Sequence, residues 1–170
     1  MSVITRKGDS GTTSTLNKKG VKKNNPIIHL LGEIDELNSH IGLLASFVKE
    51  EDKKTVQTIQ KNLYAFMAFV SGSPLPFVVS QKTKLLEEEV YLVEKKLPQL
   101  HGFIVPGGTP HSSYCHVVRS VCRRVERVLV SCSSKKNDAG LFSLIPYFNR
   151  LSDYFFVLAR KLNTNKEILL

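Results

Sequence analysis

From Pro26 onward the apolar residues recur at three- and four-residue steps, and that spacing leaves little choice of fold. Leu30, Ile34, Leu37, Ile41, Leu44 and Val48 fall on one stripe of a helix turning by ~100° per residue, a pattern that a strand of period two cannot use. Asn25 and Pro26 start this helix with a capping side chain and a proline in the first turn. A second helix is expected from about Asp52 to Gly72 on Val56, Ile59, Leu63, Phe66 and Val70, with Gly72 and Pro74 as its stop. A third runs from near Ser80 on Leu86, Val90, Val93 and Leu97 until Pro98. An arginine-rich helix occupies about 110 to 134, and "SSKKNDAG" links it to a last helix carrying Leu151, Tyr154, Phe155, Leu158 and Leu162. Pro146 marks a kink in that helix or its start. No stretch alternates as a strand. The expected fold is all-α, an up-and-down bundle of four to five helices, in a single domain: 1–25 an irregular N-terminal segment, 26–163 the bundle.

A chain of 170 residues can bury one proper core. No apolar run approaches the ~18 residues of a membrane-spanning helix. The opening "MSVITRKGDSG" has neither an apolar signal core nor an arginine- and serine-rich amphipathic presequence, so a cytoplasmic location is expected. Cys115, Cys122 and Cys132 are odd in number and form no C-x-x-C pair, which fits packing roles in a reducing compartment. His111, Cys115, His116 and Cys122 match none of the usual zinc spacings.

The formal net charge of +9 is unevenly placed. Residues 1–25 carry Arg6, Lys7, Lys18, Lys19, Lys22 and Lys23 against Asp9, and residues 115–136 carry Arg119, Arg123, Arg124, Arg127, Lys135 and Lys136 against Glu126. The remainder is close to neutral, so two basic segments stand on a neutral scaffold, which points to a polyanionic partner. On the arginine helix, Arg119, Arg123, Glu126 and Arg127 lie within an arc of roughly 100°, while Val118, Val121, Val125, Val128 and Leu129 take the opposite side. A solvated, salt-bridged outer face satisfies that pattern as well as a ligand does. In "TRKGDSGTTSTL", Gly8 and Gly11 allow close backbone approach, and Thr12, Thr13, Ser14 and Thr15 offer hydroxyls, with Lys23 adding an ammonium. This is a phosphate cradle or a basic tail; it is not the G-x-x-x-x-G-K-[ST] loop. Asp35 and Asn149 stand inside helices, where propensity gives them no reason to be, and Phe103 lies in a turn-rich loop.

Five blocks taken in order, "TRKGDSGTTSTL", "GEIDELNS", "FIVPGGT", "HVVRSVCRRVER" and "YFNRLSDYFFVLAR", resemble the PduO-type ATP:corrinoid adenosyltransferases, from Thr5 to Arg160. The resemblance implies a homotrimer with active sites between subunits, transferring the 5′-deoxyadenosyl group of ATP onto cob(I)alamin to give adenosylcobalamin and triphosphate. Thr5, Arg6, Gly8, Asp9, Thr13, Ser14 and Lys23 would wrap the nucleotide. Arg123, Glu126 and Arg127 would approach it from the neighbouring subunit with Asn149 beside them. Asp35 and Arg119 would form an intersubunit salt bridge that orders the site, and Phe103 would lie under the corrin. ATP as co-substrate, Mg²⁺ on its phosphates and cobalamin as substrate are implied, with protein ligands for the metal unknown. A cob(II)alamin reductase and an adenosylcobalamin-dependent enzyme would be transient partners, and nucleic acid and membrane would not be. The animal branch of the family extends the expected location to a mitochondrial matrix.

Two departures matter. Gly20 stands where the family often has an arginine, and His29 where it often has a glutamate. Lys18, Lys19 or Lys22 could supply the missing cation. Two other classes compete with the transferase. One is a non-catalytic sensor or delivery protein of the same fold, which would lose Phe103 or the Asp35–Arg119 pair. The other is a basic nucleic-acid binder, which would set exposed aromatics beside its charge.

Overall fold

The first helix is set at its start by local chemistry. Asn25 Oδ1 accepts a hydrogen bond from the Ile27 amide at 2.9 Å, Pro26 stands in the first turn, and helix α1 runs Pro26–Ala45. Its stripe of Leu30, Ile34, Leu37, Ile41 and Leu44 is fully buried, each side chain being worth about 1.5–3 kcal/mol against exposure. The structure, a computed structural model, describes residues 4–133, 139–163 and 167–169. Over these, α1 is followed by α2 (Glu50–Val70), α3 (Val79–Glu94), α4 (Pro110–Ser133), the four-residue α5 (Ala139–Phe142) and α6 (Ile145–Leu162). Pro146 lies in the first turn of α6 and begins the helix without kinking it. The expected "SSKKNDAG" link falls largely outside the described residues, since 134–138, with Lys135 and Lys136, are not among them.

The helices pack in an order that differs from the chain. α1 lies against α2 and α4, α4 also against α6, and α6 also against α3. As α1 advances from Pro26 to Phe47, its partners on α4 recede from Cys132 through Arg124 and Tyr114 to His111, so the two are antiparallel. Between α4 and α6 the same reversal appears in Glu126–Asn149 and His116–Phe156. The core is finished by large aromatics. Phe66 meets Tyr147 edge-on at 4.8 Å, and the buried Asn62 amide donates to the Tyr147 hydroxyl at 3.1 Å. Cys115 and Cys122 are fully buried, and burial pushes the Cys115 thiol up to about 12, so both are packing groups.

The expectation of no strand is corrected in two places. Thr12–Thr13 (β1) and Val21–Lys22 (β2) pair antiparallel, and Ile104 pairs with Leu169 in an isolated bridge. Two-residue strands are too short to display alternation, which is why sequence periodicity misses them. The N-terminal segment is thus a closed hairpin and not a trailing tail. The Thr15 amide donates to the Lys18 carbonyl at 2.8 Å, and Asn17 donates its amide to Ser71, seating the hairpin on the end of α2.

Candidate active site

Helix α4 carries the site because its two faces have different work. Val118, Val121, Val125 and Leu129 are buried against the bundle. Beside that face, buried His116 is followed at helical steps by half-buried Arg119 and then by Arg123 and Arg127, spanning about 16 Å of helix at 1.5 Å per residue. Arg123 and Arg127 are exposed, and Arg127 folds back to donate to the Arg123 carbonyl at 3.2 Å. Beside them Glu126 Oε1 accepts from Asn149 Nδ2 at 3.1 Å, so the two predicted neighbours do meet. Arg124 is tied to α1. It binds Glu33 and Glu36 of α1, and that pairing holds the Glu36 carboxyl below its ordinary value. This arginine is spent on the fold.

Arg119 is the cation with unfinished bonding. Its Nε is buried with no acceptor, and burial, then the charge of Arg123, pull its pKa below the usual guanidinium value. A buried donor without a partner costs about 1–3 kcal/mol, so an acceptor from outside the chain is strongly favoured there. Asp35, its predicted partner, is exposed on α1 with no bond to Arg119 inside the chain. One turn earlier on α4, His116 is 5 % exposed with Nδ1 unpaired, and burial followed by Arg119 lowers its pKa. Sequence reasoning missed this residue as a site group. It had looked at His116 only as a metal ligand, and among the described residues no three His, Cys, Asp or Glu side chains gather as a metal site.

Phe103 is 81 % exposed, a large apolar ring left in the open by its loop. It overlooks a cavity of about 350 Å³ shared with Leu100, Ile104, Phe156, His116 and Arg119. His116 and Arg119 also line a trough of about 630 Å³ that continues past Arg124 to Arg127, with Arg123 outside its lining. An apolar hollow and a cationic trough therefore share one wall.

The N-terminal hairpin gathers the other predicted residues. Thr5, Arg6, Asp9 and Ser14 are exposed, and Thr13 lies half-buried in β1. Arg6 adopts φ 57°, the left-handed region that non-glycine residues seldom occupy. The turn closes through Asp9 N to Arg6 O and Gly11 N to Gly8 O. Over Gly8 lies the Lys23 ammonium, 3.2 Å from where a Cβ would stand, so glycine leaves room for the cation. Gly20 adopts φ 68° with open space around it, so its glycine answers to backbone conformation. His29 lies 3.8 Å from Glu33, one turn on in α1.

Residues 3–162 match the family described as cobalamin adenosyltransferase. The chain belongs to that family. A cobalamin adenosyltransferase of Cupriavidus metallidurans is 37 % identical over 95 % of this chain and 88 % of its own length. The corrinoid adenosyltransferase PduO of Salmonella typhimurium is 35 % identical over 94 % of this chain, which spans only 49 % of that longer protein. Among solved structures, a variant PduO-type ATP:corrinoid adenosyltransferase from Lactobacillus reuteri, complexed with cobalamin and ATP, superposes with a TM-score of 0.92 at 30 % identity, covering 99 % of each chain. The five blocks and the helical bundle thus belong to one family, and its fold is the one this chain adopts.

Proposed function

We propose that this chain transfers the 5′-deoxyadenosyl group of ATP to cob(I)alamin, giving adenosylcobalamin and triphosphate. One observation carries the reading beyond family membership: the apolar hollow beneath Phe103 and the cationic trough of α4 share the wall made by His116 and Arg119. A flat apolar macrocycle and a polyanion are thereby brought edge to edge, as a transfer between them requires.

In the transfer the electron pair of Co(I) attacks C5′ of ATP, the cobalt–carbon bond forms, and the C5′–O bond breaks with its electrons leaving on triphosphate. Negative charge grows on the leaving oxygens, and fixed cations facing them lower the barrier. Arg123 and Arg127 supply those cations, with Glu126 and Asn149 holding each other alongside. Lys23 over Gly8, with the hydroxyls of Thr13 and Ser14 and the groups of Thr5, Arg6 and Asp9, forms the opposite half of the nucleotide site. Phe103 presents an apolar ring to the lower face of the corrin and keeps water and the lower ligand from cobalt. Removing an axial ligand tunes the metal toward Co(I). Mg²⁺ travels with the phosphates and neutralises their charge.

The site is completed by a second subunit of a homotrimer. Among the described residues Arg119 Nε has no acceptor and Asp35 no partner, and one symmetric contact supplies both. The protein works in the cytoplasm or, as an alternative, in a mitochondrial matrix, receiving corrinoid from a reductase and passing product to an adenosylcobalamin-dependent enzyme.

The test is to incubate the protein with chemically reduced cob(I)alamin, ATP and Mg²⁺ and follow the light-sensitive adenosyl product by its spectrum. Wild type is expected to form it, and Arg123→Ala to be slower by about 10²–10³-fold. ATP binding without any product would instead establish a sensor or delivery protein.

A further inference from the structure

Phe103 cannot hold itself in place, because a ring 81 % exposed has almost nothing packed around it. Its direction is set by its backbone. The loop between α3 and α4 is fastened at both ends to the end of α6: Arg160 Nη2 donates to Pro98 O at 2.8 Å, and the Thr109 amide and hydroxyl donate to Asn163 Oδ1 at 3.2 Å and Leu162 O at 2.8 Å. Between those anchors the loop is gripped by the segment 167–169. The Val105 amide donates to Ile168 O at 2.9 Å, and Ile104 pairs antiparallel with Leu169. Ile104 is half-buried while Phe103 is exposed, the alternation that an extended pairing imposes.

The segment is held by one ion pair. Arg160 is 6 % exposed, and its Nε and Nη2 donate to Glu167 Oε1 at 2.8 Å and Oε2 at 3.4 Å. A buried guanidinium needs its acceptors, since an unpaired buried charge is strongly destabilising. The charge of Glu167 also partly opposes the lowering of the His116 pKa by burial and Arg119, and His116 lines the cavity beneath Phe103.

We propose that Arg160 and Glu167 are positioning residues for the corrin: their ion pair latches segment 167–169 against Ile104 and Val105 and thereby aims Phe103. The inference rests on Phe103 being the wall of the corrin site. It bears first on the corrin half, because among the described residues the latch holds the loop of Phe103 and bonds to none of Lys23, Arg123 or Arg127.

The experiment uses the full chain with Glu167→Gln, Arg160→Met and Arg160→Lys. Amide exchange of Val105 in the ligand-free protein reads the latch itself, and is expected to speed up in Glu167→Gln and Arg160→Met. With ATP saturating, the KM for cob(I)alamin is expected to rise by about 10–100-fold in the same variants. The spectrum of bound cob(II)alamin should shift toward the form that keeps a lower ligand. ATP affinity, measured by calorimetry without corrinoid, should stay at the wild-type value, and Arg160→Lys should recover part of the loss. Unchanged Val105 exchange and unchanged corrinoid KM in Glu167→Gln would overturn the latch. So would a fall in ATP affinity equal to the corrinoid effect, which would mark a general loss of structure. A wild type that makes no adenosyl product would refute the proposed activity, and the latch would then stand or fall on Val105 exchange.

Discussion

Three residues of the cavity lining show how a site differs from a surface. Buried His116 and half-buried Arg119 each have a buried nitrogen unpaired among the described residues, and Phe103 is a large apolar ring left in the open. Each carries a cost that the isolated chain does not recover, and such costs gather where a ligand or partner is to be met. The His116 pKa is lowered in the folded state, chiefly by burial. The unfolded chain therefore binds the proton more readily near pH 6.5, the ordinary histidine value. His116 stabilises the fold fully above that pH, and the contribution is lost as pH falls from there toward the depressed folded value. Denaturant titrations from pH 7.5 down to 5 should show declining stability, with a shallower decline in His116→Gln. An identical slope in the two proteins would remove this role from His116.

At the scale of elements, the N-terminal hairpin explains a departure that sequence comparison leaves open. Gly20 stands where the family resemblance leads one to expect an arginine, yet its φ of 68° is the kind that side chains rarely adopt. Gly20→Arg is expected to weaken the hairpin by about 1–2 kcal/mol. Faster amide exchange at Thr13 and Val21 would report it, and unchanged exchange would show that the turn accepts an arginine. The long helices were legible because their signals are local: Asn25 and Pro26 start α1, and Leu30 to Leu44 fix its buried face. The hairpin was not, since two-residue strands have no period to read. On α4, helical spacing sets Arg124 off the arc that holds Arg123, without showing what each of the two binds. What distinguishes them is Glu33 and Glu36, some ninety residues away in the chain, which bind one and not the other. The pairing of Arg160 with Glu167 was hidden for a related reason, because its meaning depends on the loop at Pro98. Phe103 was singled out by family resemblance alone; nothing in the periodicity told an exposed ring from a buried one.

At the scale of the whole molecule, the proposed function gives one chain two halves of a site. The hairpin with Lys23 over Gly8 is one half, and the α4 trough with the Phe103 cavity is the other. Under the proposed function, Arg119 Nε and Asp35, neither with a partner among the described residues, are where two copies would join. Complementation tests this most directly. Lys23→Ala and Arg123→Ala chains are each expected to be nearly inactive in adenosylating cob(I)alamin. Unfolded together and refolded as a mixture, they should regain activity, because a hairpin from one chain then faces an intact α4 from the other. With random mixing in a symmetric assembly about one site in four is restored. Activity of the mixture no greater than that of the two variants refolded separately would contradict a site shared between subunits.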